Sequence, residues 1–262
     1  MQFCFDSAVS HAAPSIEALP IPVAVATALG HVRDELRAAA GENLVALVLY
    51  GGVARGRYRG PQSDIDLAVV IEDASTERVR ELTPVLLAAW RAARVEPWIV
   101  ARSELGRLAE VFPSKLLDIS EHHLTLAGED VFSGLRIDAR QLRFRVEQEL
   151  TNLSLRLRRH QISLAGDPAS MAAYLLGVAR PLAIQLAALL RAAGRQVPAE
   201  DRSAAIFAQA AAEFGLDGEA LAALAALRQG EVPTADVGDI FGRVHTSATR
   251  AAEVAAGLEV SG

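Results

Sequence analysis

Two aspartates, Asp64 and Asp66, stand two residues apart at the mouth of an apolar run, Leu67-Ala68-Val69-Val70-Ile71. In an extended strand such residues project to one face, about 6.6–6.8 Å apart along the chain, so the spacing predicts both carboxylates on one side and Ile65 and Leu67 on the other. Carboxylates that converge in this way can bracket two divalent cations, which in phosphoryl-transfer sites lie about 3.5–4 Å apart. All-oxygen ligands suit magnesium. An Asp-x-Asp tripeptide alone is more often a turn or a solvated strand face. Charge at the entrance to a buried strand, however, is costly unless it faces a cleft or is ligated. Upstream, Gly51 and Gly52 follow the apolar run Leu44 to Tyr50. Without side chains, they allow backbone N–H groups to approach a polyphosphate closely.

The elements that must position these residues can be read from the pattern. Val23 to Ala40 has helical periodicity and Gly41 supplies a stop, after which Leu44 to Tyr50 reads as a buried strand. Residues 51–62 hold glycines, a proline and the arginines Arg55, Arg57 and Arg59, and read as a loop before a second strand from about Asp64 to Ile71. A helix over about Thr76 to Arg94, with Pro84 inside it, leads to a third strand, Val95 to Ala101. Pro97 lacks a ladder donor, which places that strand at or near an edge. Trp90 and Trp98 are expected to pack near it, Trp98 within reach of a cleft.

Beyond Gly128 the strand signals stop. Asp138 reads as the N-cap of a helix through Ala165, and Asp167-Pro168 opens another to Gly194. A third starts at Pro198 with Glu200 and Asp201 and is closed by Gly215; two more follow, Gly218 to Arg228 and Ala235 to Ala256. The fold class is therefore α+β: a small mixed β-sheet with flanking helices over residues 1–130, its core at 44–101, followed by an all-α helical bundle over 131–262.

The block Tyr50-Gly51-Gly52-Val53-Ala54-Arg55-Gly56, six further residues, then Ser63-Asp64-Ile65-Asp66-Leu67 resembles the DNA polymerase beta-like nucleotidyltransferase superfamily. The usual signature there is Gly-Ser, a spacer of about a dozen residues, then Asp-x-Asp on the next strand. The resemblance covers roughly residues 44–101. It implies magnesium, as two ions, on Asp64, Asp66 and a third acid, Glu96, which completes the metal site or acts as general base. It also implies nucleotide contacts at Gly51, Gly52, Arg55 and Ser63, with ATP as the donor. The family serine is Gly52 in this chain, so one hydroxyl that contacts the triphosphate is missing. A short nucleotidyltransferase core followed by a helical half is similar in layout to the aminoglycoside adenylyltransferases. The function implied is transfer of a nucleotidyl group, AMP by analogy, to a hydroxyl of a small molecule. A protein hydroxyl as acceptor, as in adenylylating toxins and antitoxins, and a catalytically degenerate nucleotide-binding regulator remain open.

Charge narrows the partners. Residues 1–130 carry 12 Lys/Arg against 18 Asp/Glu, and residues 131–262 carry 14 of each. A polyanion would need a basic face, so no extended nucleic-acid surface is expected, and a neutral or cationic small substrate fits the acidic half. The one dense basic run, Arg156, Arg158, Arg159 and His160, reads as a solvated helix end. Glu121-His122-His123 reads as ordinary packing or surface placement, because adjacent histidines do not converge like ligands one helical turn apart. Cys4 has no partner for a disulfide or a zinc site. Met1 to Pro14 lacks the features of a secretion signal, and the apolar tract Leu175 to Leu190 is interrupted by Arg180, Pro181 and Gln185, which suits a buried helix. A cytoplasmic protein with no membrane partner is expected.

Overall fold

The structure is a computed structural model that describes Ile16, residues 19–58, Gly60, and residues 63–198, 203–227 and 237–259. Arg59, Cys4, the N-terminal stretch through Pro14, and the helix-opening residues Glu200 and Asp201 lie outside the described residues. The chain divides into two compact units, the first ending at Ile137 and the second beginning at Asp138. The sequence reading put the division after residue 130. The segment past 130 stays with the first unit because Phe132 is fully buried in the core of the sheet.

The first unit runs α1 (Val23–Ala40), β1 (Leu44–Tyr50), α2 (Gly51–Ala54), β2 (Ile65–Ile71), α3 (Thr76–Ala93), β3 (Val95–Ala101), α4 (Leu105–Val111), α5 (Pro113–Glu121) and β4 (His123–Gly128). The sheet is mixed, in the order β3-β2-β1-β4. β1 is antiparallel to both β2 and β4, whereas β2 and β3 are parallel and joined by the α3 crossover. Both faces are covered, so the central strands are apolar almost throughout. Leu47, Leu49, Ile65, Leu67 and Val69 form one core with Leu29, Val32 and Leu36 of α1 and Leu82, Leu86 and Ala89 of α3. Ala46, Val48, Ala68, Val70 and Val100 form the other, with Leu105 and Ala109 of α4, Leu116 and Ile119 of α5, and Phe132.

Strand β3 is an edge strand, as Pro97 required. The opposite edge, β4, was not foreseen: of its six residues only Leu124 is buried, so little apolar patterning marks it. The segment after β1 differs from the loop that its glycines suggest. Residues Gly51–Ala54 wind one helical turn, closed by the Gly56 N–H donating to the Val53 carbonyl (2.9 Å) and the Arg57 N–H to that of Gly52 (2.8 Å). Trp90 also departs from expectation. It is 37% exposed, with the Arg94 guanidinium 4.7 Å from its ring centre. Leu82, Leu86 and Ala89 make the buried stripe of α3, and Trp90 falls one position off it.

The second unit is helical: α6 (Ala139–Ser163), α7 (Pro168–Ala192), α8 (Ser203–Phe214), α9 (Gly218–Leu227) and α10 (Val237–Gly257). Its starts are side-chain capped as the sequence indicates. Asp138 accepts from the Arg140 N–H at 2.7 Å, and Asp167 from the Ser170 N–H at 3.0 Å. α7 is long and apolar enough to cross a bilayer by length and composition, but Leu175, Leu182, Leu186, Leu189 and Leu190 are buried within the protein. Arg156, Arg158 and Arg159 are exposed along α6.

One glycine sets the outer edge of the sheet. Gly128 has φ +78°, and a Cβ there would sit 2.8 Å from the carbonyl carbon of Val45. Gly128→Ala is expected to lower stability by at least the ~1–3 kcal/mol of a strained positive-φ residue, measured as the shift in urea midpoint at unchanged slope.

Candidate active site

The site follows from strand polarity. Because β1 runs against β2 and β3, its C-terminal end, Tyr50 followed by Gly51 and Gly52, lies beside the N-terminal ends of β2 and β3, which carry Asp66 and Glu96. Asp66 is the registered partner of Glu96 across the parallel pair. Registered neighbours share a face, with strands about 4.7–4.9 Å apart, so these two carboxylates project together. Glu96 is exposed and Asp66 partly so.

Gly51 decides how closely the turn approaches. Its φ is +72°, and a Cβ would lie 3.0 Å from Cγ of Asp66 and overlap Oδ2. The backbone of the β1–α2 turn therefore lies directly against the Asp66 carboxyl group, which only glycine permits. Gly52 is different: its φ is not positive, and a Cβ there would meet only the Arg57 carbonyl oxygen, at 3.6 Å. The absent family hydroxyl is thus not imposed by backbone geometry.

Asp64 sits one residue before β2. Its Oδ1 accepts from Arg94 Nε at 2.9 Å and from Nη2 at 2.6 Å. Arg94 is the left-handed cap of α3 and the only described non-glycine residue at positive φ. Among the described residues no three Asp, Glu, His or Cys side chains converge as a metal site. Asp66 and Glu96 are brought together while Asp64 is held aside. The Asp64–Arg94 pair is 47% and 41% exposed, and exposed ion pairs are worth only about 0–1 kcal/mol, so exchanging Arg94 for a cation costs little. The carboxylate oxygens are of the kind that would suit a hard divalent ion, and Asp64 would be available to one if released from Arg94.

The remaining sequence-selected residues are placed as follows. Arg55 pairs through Nη2 with Asp118 of α5, lies 3.4 Å from His122 Nδ1, and has a side chain only 13% exposed. It ties α2 to α5. The Ser63 N–H donates to the Gly60 carbonyl at 2.9 Å, closing the loop before Asp64. His123 bonds the Ile119 carbonyl at 2.8 Å and Asp130 at 2.9 Å and packs edge-on to Phe132, the packing role expected of it.

Three neighbours of the acids escaped the sequence reading or were only touched by it: Tyr50, Trp98 and Lys115. Tyr50 and Trp98 meet edge to face with ring centres 6.2 Å apart, and Trp98 stacks on Phe132 at 6.5 Å. Burial first, and then the negative charges of Asp66 and Glu96, push the Tyr50 phenol well above its ordinary range, so it stays protonated. The Lys115 ammonium lies 3.8 Å from the centre of the Trp98 ring and 5.4 Å from that of Tyr50. Trp98 is signalled by its position two residues after Glu96, on the same face of β3. Lys115 has no such signal, since α5 is brought over the sheet by packing alone.

Residues 30–132 match the family model described as nucleotidyltransferase domain. This part of the chain is a nucleotidyltransferase domain. The matched segment contains the whole constellation, from Tyr50 through Asp66 and Glu96 to Lys115, and agrees with the DNA polymerase beta-like resemblance of the motif. None of the curated proteins compared matches the chain.

The two adjacent glycines of the nucleotidyltransferase turn should respond in opposite ways. Gly51→Ala should displace Asp66 and reduce transfer at least ~100-fold, the scale of a misplaced reacting group. Gly52→Ser should fold normally and tighten magnesium-ATP binding by at most about tenfold, ~1.4 kcal/mol. Calorimetric titration of both variants, with transfer assays alongside, checks the pair.

Proposed function

We propose that this nucleotidyltransferase moves AMP from ATP to a hydroxyl group of a small molecule, with magnesium, in the cytoplasm. Nucleotidyl transfer in general follows from the domain; the donor, metal and acceptor are the proposal. The observation that carries it is the Asp66 carboxyl group packed against Gly51 with Glu96 in register beside it. Asp66, Glu96 and Asp64 would hold up to two magnesium ions, whose chemistry is to neutralise the triphosphate as charge develops on it. The backbone at Gly51 and Gly52 admits the phosphates closely. Glu96, exposed at the start of an edge strand, is placed to take the proton of an entering hydroxyl. The oxygen so freed attacks the α-phosphorus in line, the bond to the bridging oxygen breaks, and pyrophosphate leaves.

The acidic balance of residues 1–130 favours a neutral or cationic acceptor, and the two-part layout resembles that of the aminoglycoside adenylyltransferases. A nucleotide-binding regulator is the second reading. Gly52 in place of the family serine and the pairing of Asp64 with Arg94 favour it. Incubation with α-labelled ATP and magnesium over aminoglycosides, candidate proteins and cell extract separates the cases: label on a small molecule supports the proposal, label on polypeptide moves the acceptor to a protein, and tight ATP binding without label supports the regulator.

Glu96→Gln should bind magnesium-ATP to within a few-fold of the parent and lose about 10²- to 10⁴-fold in transfer, the usual worth of a general base. Equal transfer by variant and parent, in a pyrophosphate-release assay, removes Glu96 from the mechanism.

A further inference from the structure

Lys115 is the only lysine in the sequence; the other 25 of its 26 Lys/Arg residues are arginine. In a chain that otherwise uses the guanidinium for its permanent cations, this one ammonium stands at the nucleotidyltransferase site. Two arginines of the site region are committed: Arg55 holds Asp118 and Arg94 holds Asp64.

Lys115 is held in another way. Its ammonium rests on the Trp98 face and near that of Tyr50, and among the described residues it makes no hydrogen bond and no ion pair. A cation held on aromatic faces is positioned without using its N–H groups, so all three donors remain for a ligand. Tyr50 leads straight into Gly51 and Gly52, the turn that lies against Asp66. The ammonium is therefore presented between the aromatic shelf and the place where the turn admits phosphates. A compact ammonium suits this place better than a planar guanidinium, which would spread over the ring and fix its donors in one plane. Burial lowers the Lys115 pKa and Asp66 opposes that shift, as for a charge partly desolvated before any ligand arrives.

We propose that Lys115 binds the polyphosphate of the nucleotide, leaving the Trp98 face to donate to phosphate oxygens, and that this residue rather than Arg55 supplies the positive side chain of the phosphate subsite. This rests on the nucleotidyl-transfer reading of the same site.

The test uses the full chain with magnesium present and two probes, ATP and inorganic pyrophosphate, titrated calorimetrically into parent, Lys115→Met and Lys115→Arg. Lys115→Met retains an aliphatic stem over Trp98, and an unchanged thermal midpoint verifies its fold. It should bind both probes roughly 10- to 100-fold more weakly, the scale of one hydrogen bond to a charged group. Lys115→Arg should recover part of that loss, and in turnover KM for ATP should rise more than kcat falls. The single lysine permits a second measurement on the unaltered protein: acylation of Lys115 by an amine-reactive reagent, followed by peptide mass spectrometry, should slow when ATP or pyrophosphate is bound. Should Lys115→Met fail to fold, that protection decides. Parent-like binding by Lys115→Met without protection by ATP overturns the proposal and leaves nucleotidyl transfer standing. Tighter magnesium binding by Lys115→Met, with ATP affinity unchanged, also overturns it, making Lys115 a counter-charge to Asp66. If the parent binds neither probe, the proposal and the nucleotidyl-transfer reading fail together.

Discussion

The close approach of Gly51 to Asp66 is the constraint on which the candidate site depends. A carboxylate at the start of a strand buried on both sides must find a place where charge is tolerated. Here it finds one because the preceding strand is followed directly by a residue without a side chain, at a backbone angle that L-residues avoid. The same contact brings backbone and carboxyl group to one spot, so the part of the domain suited to phosphate and the part suited to a cation are adjacent by construction. The sheet supplies the rest. An antiparallel β1 and a parallel β3 on either side of β2 gather three strand ends at one end of the sheet, and Glu96 reaches the cluster through register alone.

Two of the arginines around that end of the sheet have carboxylate partners. Arg94 pairs with Asp64, and Arg55 with Asp118. The Tyr50 phenol lies within the influence of Asp66 and Glu96, and one positive charge of the region, Lys115, rests on the Trp98 and Tyr50 rings. Aromatic faces attract a cation without saturating it, whereas a direct salt bridge would spend both partners. The Asp64–Arg94 pair, nearly half exposed, is the weak point at which the acid cluster can change composition.

The helical unit is built on different terms. Its helices are apolar and alanine-rich, with side-chain caps at Asp138 and Asp167 and a paired network of Arg243 with Asp217 and Glu219. The Asp217 carboxyl is held below its usual range by the Arg243 guanidinium. These are features of helix placement.

The sequence by itself determined the strands Leu44–Tyr50 and Val95–Ala101, the helix Val23–Ala40 and the capped starts of α6 and α7, because apolar period, glycine stops and Asp caps are local signals. It also singled out Asp64 and Asp66 as candidates, since Asp-x-Asp after a glycine turn is a local pattern too. The tertiary structure decided what those signals cannot carry. Which of the two glycines is indispensable depends on a carboxyl group 15 residues away, and the commitment of Arg55 to Asp118 and of Asp64 to Arg94 joins segments 63 and 30 residues apart. Strand β4 has one buried residue and is a strand only because β1 offers it a ladder. Lys115 lies on a short helix whose sequence says nothing of the site, and its meeting with Trp98 and Tyr50 exists only once α5 is packed on the sheet, since long-range packing has no period to read.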